Sequence, residues 1–137
     1  MVQLIYGKKG SGKTKTIISM ANNCLESCHG SIVFIDDDNR YMYDLKNRIR
    51  FINATEYSID NPCEFHGFLC GLMAGDFDLE KVFIDGFMRI IKCDIKETEE
   101  FFTRLVKISD EHNVSFVFSV SGEQDDAPEF LKPFIIN

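Results

Sequence analysis

Apolar runs separated by polar, glycine-containing punctuation divide the chain into alternating short and long segments. Val2–Tyr6 is almost unbroken apolar sequence, the composition of a strand covered on both faces and therefore central in a parallel sheet. From Lys13 to Cys28 the period changes. Ile17, Ile18, Ala21, Cys24, Leu25 and Cys28 recur at three and four residues, which predicts a helix with one buried face, stopped at Gly30. Ser31–Ile35 reads as a second buried strand. A short helical or irregular link through Tyr41–Leu45 then leads to a third strand at Arg50–Asn53. Asn61-Pro62-Cys63-Glu64 has the form of a helix start: Asn61 caps, Pro62 fits the first turn and Glu64 can reach back, with the helix running to about Ala74 and ending at Gly75. Leu79–Ile84 is a fourth strand. Asp94-Ile95-Lys96-Glu97 opens a helix whose face holds Phe101, Phe102, Leu105, Val106 and Ile108 and which ends near His112. Val114–Ser121 is a fifth strand, Pro128–Leu131 forms one turn, and Phe134–Ile136 adds an edge strand.

Five or six strands alternating with three main helices predict an α/β fold: a mostly parallel sheet flanked by helices. At 137 residues and 45% hydrophobic content, with thirteen Phe and no Trp, the chain has material for one substantial core, so a single domain over residues 1–137 is expected. Ligands of such sheets bind beyond the carboxyl ends of the strands. That places Gly7–Thr14, Asp36–Asp38, Asp85 and Ser119–Ser121 on one side.

The first of these stretches carries the most specific chemistry. Gly7-Lys8-Lys9-Gly10-Ser11-Gly12-Lys13-Thr14 fits G-x-x-x-x-G-K-[ST] at every fixed position, and it lies after a strand-like run and before a helix-like one. In that context Gly7, Gly10 and Gly12 let backbone N–H groups approach a phosphate closely, and the helix amino terminus favours the anion. Lys13 would reach the β and γ oxygens, and the Thr14 hydroxyl would coordinate Mg²⁺. A nucleotide-binding loop comprising Gly7, Lys8, Lys9, Gly10, Ser11, Gly12, Lys13 and Thr14 is the expectation. Asp85, at the carboxyl end of an apolar strand, is the carboxylate expected to orient the ion, directly or through water. The polar end of the fifth strand, at Ser119 or Ser121, is expected to sense the γ-phosphate.

With these pieces in place, the chain resembles the RecA-like branch of P-loop ATPases. The resemblance is carried by Gly7–Thr14, by Ile32-Val33-Phe34-Ile35-Asp36-Asp37-Asp38, by Val82-Phe83-Ile84-Asp85 and by Phe118-Ser119-Val120-Ser121. It implies a P-loop NTPase fold of RecA-like type, ATP and Mg²⁺ as cofactors, and a water-activating acid just beyond the second strand. Asp38 occupies that position, with Asp36 and Asp37 as neighbours and with Asp standing where the family usually has Glu. The family's polar residue at the tip of the last core strand falls on Ser119 or Ser121. The resemblance further implies an oligomer, or a partner protein, that supplies an arginine, for which Arg89, Arg104 and Arg40 are the candidates. A slow or assembly-activated ATPase is thus expected, with Lys13, Asp38, Asp85 and Ser119 as its catalytic residues. The alternatives are a nucleotide-controlled self-assembling or scaffolding protein with little turnover, and a kinase of nucleotides or other small molecules. The chain has no Arg-rich, lid-like segment of the kind such kinases use, and no Asn-Lys-x-Asp guanine reader.

Charge and cysteine content narrow the partners. A formal charge of −7, from 22 acidic and 15 basic residues, disfavours nucleic acid as a partner of the isolated chain. No apolar run approaches the length of a membrane span, and five cysteines without a signal-peptide pattern indicate a reducing cytoplasmic location. Cys63, His66 and Cys70 fall at helical spacing and could ligate zinc, but no C-x₂-C element accompanies them, and ordinary packing is the leading account of the cysteines. Tyr41, Met42 and Tyr43 could stack on an adenine, contact a neighbour or simply pack.

Overall fold

The computed structural model describes residues 1–137, and its centre is a five-stranded, wholly parallel sheet. The strands are β1 (Val2–Gly7), β2 (Ser31–Asp36), β3 (Ile49–Asn53), β4 (Leu79–Ile84) and β5 (Ser115–Ser121), in the spatial order β1-β5-β4-β2-β3. The helices are α1 (Lys13–Cys24), α2 (Pro62–Gly75), α3 (Phe87–Ile91) and α4 (Glu99–His112). This is the α/β arrangement expected from the alternation of short apolar runs and helical periods, with a parallel sheet flanked by helices.

Side-chain alternation in the strands creates two cores. One face carries Leu4, Val33, Ile35, Val82, Ile84, Phe116 and Phe118, and belongs to a 25-residue cluster with Phe65 and Leu69 of α2, Phe87 of α3 and Phe101, Phe102 and Leu105 of α4. The rings of Phe87, Phe101, Phe102 and Phe118 meet with centroids 4.9–6.1 Å apart, most pairs near edge-to-face, a geometry that favours aromatic pairs beyond simple area burial. The opposite face carries Ile5, Ile32, Phe34, Phe83 and Val117 against Ile17 and Ala21 of α1, in a 10-residue cluster. Period-two parity has a consequence for polar residues. Asp36 follows Phe34 by two positions, Asp85 follows Phe83 and Ser119 follows Val117, so all three continue the row covered by α1.

Several local expectations are corrected. β1 is not central: it is the outer strand beside β5, and its free edge is met by the C-terminal segment. That segment is not a full strand. It makes one parallel bridge, Leu4 to Ile135, while the Ile136 N–H donates to the Leu4 carbonyl and the Asn137 amide exchanges bonds of 2.9 and 3.0 Å with the backbone of Tyr6. α1 ends at Cys24 rather than Cys28, because the next residues tighten into turns in which the Ser27 and Cys28 N–H groups both donate to the Cys24 carbonyl. The helix expected from Asp94 begins only at Glu99. Asp94 caps a separate 3-10 turn over Ile95–Glu97, accepting from the Lys96 N–H at 3.0 Å. α3 is a short helix that the sequence pattern did not show.

Candidate functional site

The loop between β1 and α1 leaves its own donors free. Gly10 and Gly12 have φ of 84° and 90°, left-handed values that side-chain-bearing residues rarely adopt, and the backbone passes directly from Gly12 into α1. The helix start has no side-chain cap and no acidic residue in its first turn. Within the loop, the Ser11 N–H donates to the Lys8 carbonyl, but the N–H groups of Gly10, Gly12, Lys13, Thr14 and Lys15 have no partner in the chain. Unpaired amides at a helix amino terminus are a ready site for an anion. The Lys13 ammonium, half-buried, donates to the Lys8 carbonyl at 2.9 Å and so folds back over the loop. Burial lowers its pKa, Asp85 pulls it back up, and Arg89 pushes it down.

Below the loop lies a buried polar row. The Thr14 hydroxyl donates to Asp85 Oδ2 at 2.9 Å, and the Ser119 hydroxyl donates to Asp85 Oδ1. Asp85 and Ser119 are both buried, Asp85 being 3% exposed, so two hydroxyls compensate a carboxylate that would otherwise be costly to bury. The register explains the meeting. β5 lies between β1 and β4, with Ser119 opposite Ile5 of β1 and the preceding Phe118 opposite Ile84 of β4, the residue just before Asp85.

These groups open into a cleft of ≈ 740 Å³, within the range of small-molecule sites. Lys9, Gly10, Gly12, Lys13, Thr14, Asp85, Ser119 and Ser121 all line it. Its other wall holds Ile18 and Ser19 of α1, then Arg40 and Tyr41 after β2, and Gly86–Arg89 after β4. The Arg40 guanidinium lies over the Tyr41 ring, 5.7 Å from its centroid. Gly7 and Ser11 complete the loop outside the lining. A Cβ on Gly7 would come within 2.8 Å of the Ser11 hydroxyl, so the loop folds closely on the end of β1. Lys8 points away and pairs with Glu123 at 3.0 Å.

The acidic run after β2 is divided in use. Asp36 is buried and accepts from the Asp37 N–H at 2.7 Å, a bond that favours its charged form, but burial, the Asp37 carboxylate and the nearby Asp85 charge outweigh it and push its pKa up to about 8. Asp37 binds Arg89 twice, through Nε at 2.8 Å and Nη2 at 3.1 Å. Burial opposes ionisation of Asp37, but the guanidinium outweighs it and holds the carboxyl below its usual range. Asp38 is not part of the cleft lining. Its Oδ1 accepts from the Arg40 N–H at 2.9 Å and its Oδ2 lies 3.6 Å from the Arg40 guanidinium. The three carboxylates lie within 4.8 Å of one another.

Of the arginines expected to act from a neighbouring chain, Arg40 and Arg89 line this chain's own cleft, whereas Arg104 is exposed on α4. Sequence reasoning gave Arg89 no place in the chain's own cleft because α3, the helix that positions it, is only five residues long. The cysteines do not assemble a metal site: Asp36–Asp38 is the only group of three or more metal-ligating side chains gathered in the structure. Cys63 is exposed, Cys70 lies 3.7 Å from His66 Nδ1, and all five thiols are free. Cys28 is buried, and burial together with bonds to Glu80 and Cys24 pushes its thiol up to about 12, which disfavours the thiolate. No helix is long and apolar enough to cross a membrane. No protein-family model matches the sequence, and no curated protein aligns with it significantly.

Proposed function

We propose that the protein binds a nucleoside triphosphate with Mg²⁺ and acts as a slow or assembly-activated ATPase of RecA-like type. The observation that carries the reading is the set of unpaired amides in the loop and the first turn of α1, among them those of Gly10, Gly12, Lys13, Thr14 and Lys15, next to the Lys13 ammonium and the Thr14–Asp85–Ser119 row. A polyphosphate satisfies those amides, and Lys13 exchanges the Lys8 carbonyl for phosphate oxygens, a charge-assisted bond that is stronger than a neutral one. The Thr14 hydroxyl and the Asp85 carboxylate are oxygen donors in contact with each other, a donor set suited to an ion that binds one or two protein oxygens and keeps the rest for phosphate and water. Bound there, Mg²⁺ supplies neutralisation of charge on the phosphate oxygens. Ser119 fixes the Asp85 carboxylate, and Ser121 presents a hydroxyl to the same cleft. The Tyr41 ring, with Ile18, offers a flat apolar wall for an adenine once the Arg40 side chain moves aside.

Slow turnover follows from the water-orienting acid. Asp38 must leave both the amide and the guanidinium of Arg40 before it can reach a water in the cleft, and Asp36 is buried with a raised pKa. The same features favour, as a second reading, a nucleotide-controlled assembly protein with little turnover. Orthophosphate release from Mg·ATP, measured over a range of protein concentrations with light scattering on the same samples, separates the two. The ATPase reading predicts release at well below the typical enzyme rate of about 10 s⁻¹, rising with any increase in mass. Mass growth without release supports the assembly reading, and neither change with saturating Mg·ATP contradicts both.

A further inference from the structure

Arg89 is anchored in a way that a surface ion pair does not require. Gly86 takes φ 69°, and a Cβ there would come within 2.7 Å of both Arg89 Nη2 and Asp37 Oδ1. The guanidinium therefore occupies the space a side chain on Gly86 would fill, at the carboxyl end of β4, one residue beyond Asp85. Its Nε and Nη2 bind the two oxygens of Asp37, a bidentate geometry that fixes direction as well as charge. Asp37 is largely covered, but Arg89 keeps 59% of its side chain exposed and lines the cleft together with Lys13, Thr14 and Ser121. Both the Lys13 ammonium and the Arg89 guanidinium are thus held by oxygens of the chain itself, Lys8 O and the Asp37 carboxylate.

Resting on the nucleotide-binding reading above, we propose that Arg89 is a phosphate-discriminating residue acting within its own chain. In this arrangement Asp37 holds the guanidinium beside the cleft, and the terminal phosphate of a triphosphate draws it across. A ligand shifts such an equilibrium only by interacting differently with the two positions. A triphosphate places more negative charge in the cleft than a diphosphate, so the tethered arginine converts the presence of a third phosphate into a movement of the segment after β4. Asp37 is the competitor that sets the threshold.

The two partners should therefore act with opposite sign. In calorimetric titrations with Mg·ATP and Mg·ADP, Arg89→Ala is expected to lower the ATP-to-ADP affinity ratio about tenfold, which corresponds to about 1.4 kcal/mol, while leaving ADP affinity nearly unchanged. Asp37→Asn is expected to raise the ratio, and to have no effect on it once Arg89 is already Ala, as a double-mutant cycle will report. The melting temperature of each variant, measured without nucleotide, confirms folding. If Asp37→Asn and Arg89→Ala shift the ratio in the same direction, or Arg89→Ala leaves it unchanged, the pair is only a structural ion pair and the proposal is overturned. Failure of the unsubstituted protein to bind either nucleotide overturns it differently, by removing the nucleotide-binding reading on which it rests.

Discussion

At the scale of single residues, the site is organised by how each charge is compensated. Asp85 is buried and satisfied by two hydroxyls, Asp37 by a bidentate guanidinium, and Asp38 by a backbone amide and Arg40. Asp36 has only the Asp37 N–H, and it faces two neighbouring carboxylates, which with burial accounts for its raised pKa. The linkage has a definite sign. A carboxyl that is harder to ionise in the folded chain than in the unfolded one favours the native state at low pH, and that contribution is lost as pH rises from the unfolded value near about 4 through the folded value of about 8. Chemical denaturation across this window should show the unsubstituted protein losing stability relative to Asp36→Asn as the pH is raised. The amide keeps an oxygen for the Asp37 N–H but cannot ionise. Parallel pH profiles for the two proteins would show that Asp36 does not carry this charge cost.

At the scale of elements, signals that combine a period with a specific end were legible. α2 starts where Asn61 and Pro62 predict, with the Asn61 side chain accepting from the Glu64 N–H at 2.8 Å. The Glu64 carboxylate reaches back one residue further than expected, to the Asp60 N–H at 3.1 Å. Asn61→Ala should therefore cost about 1 kcal/mol and lower the melting temperature by a few degrees, roughly 3–5 °C for a domain of this size. Asn61→Asp should cost much less, and equal losses for the two would assign the effect to something other than the cap. The five strands were recognisable as apolar runs, but their order was not, because an apolar run does not say which neighbour it pairs with. β1 looked central although it is an outer strand. Its apolar composition is explained by cover on both faces and by the C-terminal segment along its edge, at Ile135–Asn137. The polar site followed a simpler rule: parity from Phe34, Phe83 and Val117 assigns Asp36, Asp85 and Ser119 to the α1 face. Arg89 was named only as an arginine acting on a neighbour; its place in the chain's own cleft was not legible, because a five-residue helix has too few positions to display a period.

At the scale of the whole molecule, the chain sets a local positive site in an acidic background. The formal charge of −7 gives no general attraction for a polyanion, so on the proposed reading one would be held by close contact with the loop amides and Lys13. The strand order makes this possible by setting β5 between β1 and β4, which brings Ser119 to Asp85 beneath the loop. Three helices pack on the far face, and α1, with Cys28 and Leu45 from the links beside it, covers the near one. The larger aromatic core thus supports the sheet from behind, while α1 serves both as core and as the amino terminus facing the cleft. The most direct measurement is a calorimetric titration of Mg·ATP into the unsubstituted protein and into Lys13→Ala, with melting temperatures recorded on the same samples. Lys13 is bonded only to an exposed loop carbonyl, so its removal should leave the melting temperature without nucleotide nearly unchanged. The account predicts saturable binding and a rise in melting temperature for the unsubstituted protein, with affinity reduced at least about tenfold in Lys13→Ala, as expected for loss of a charge-assisted bond. Equal affinity in the two proteins, or no binding to either, would contradict it.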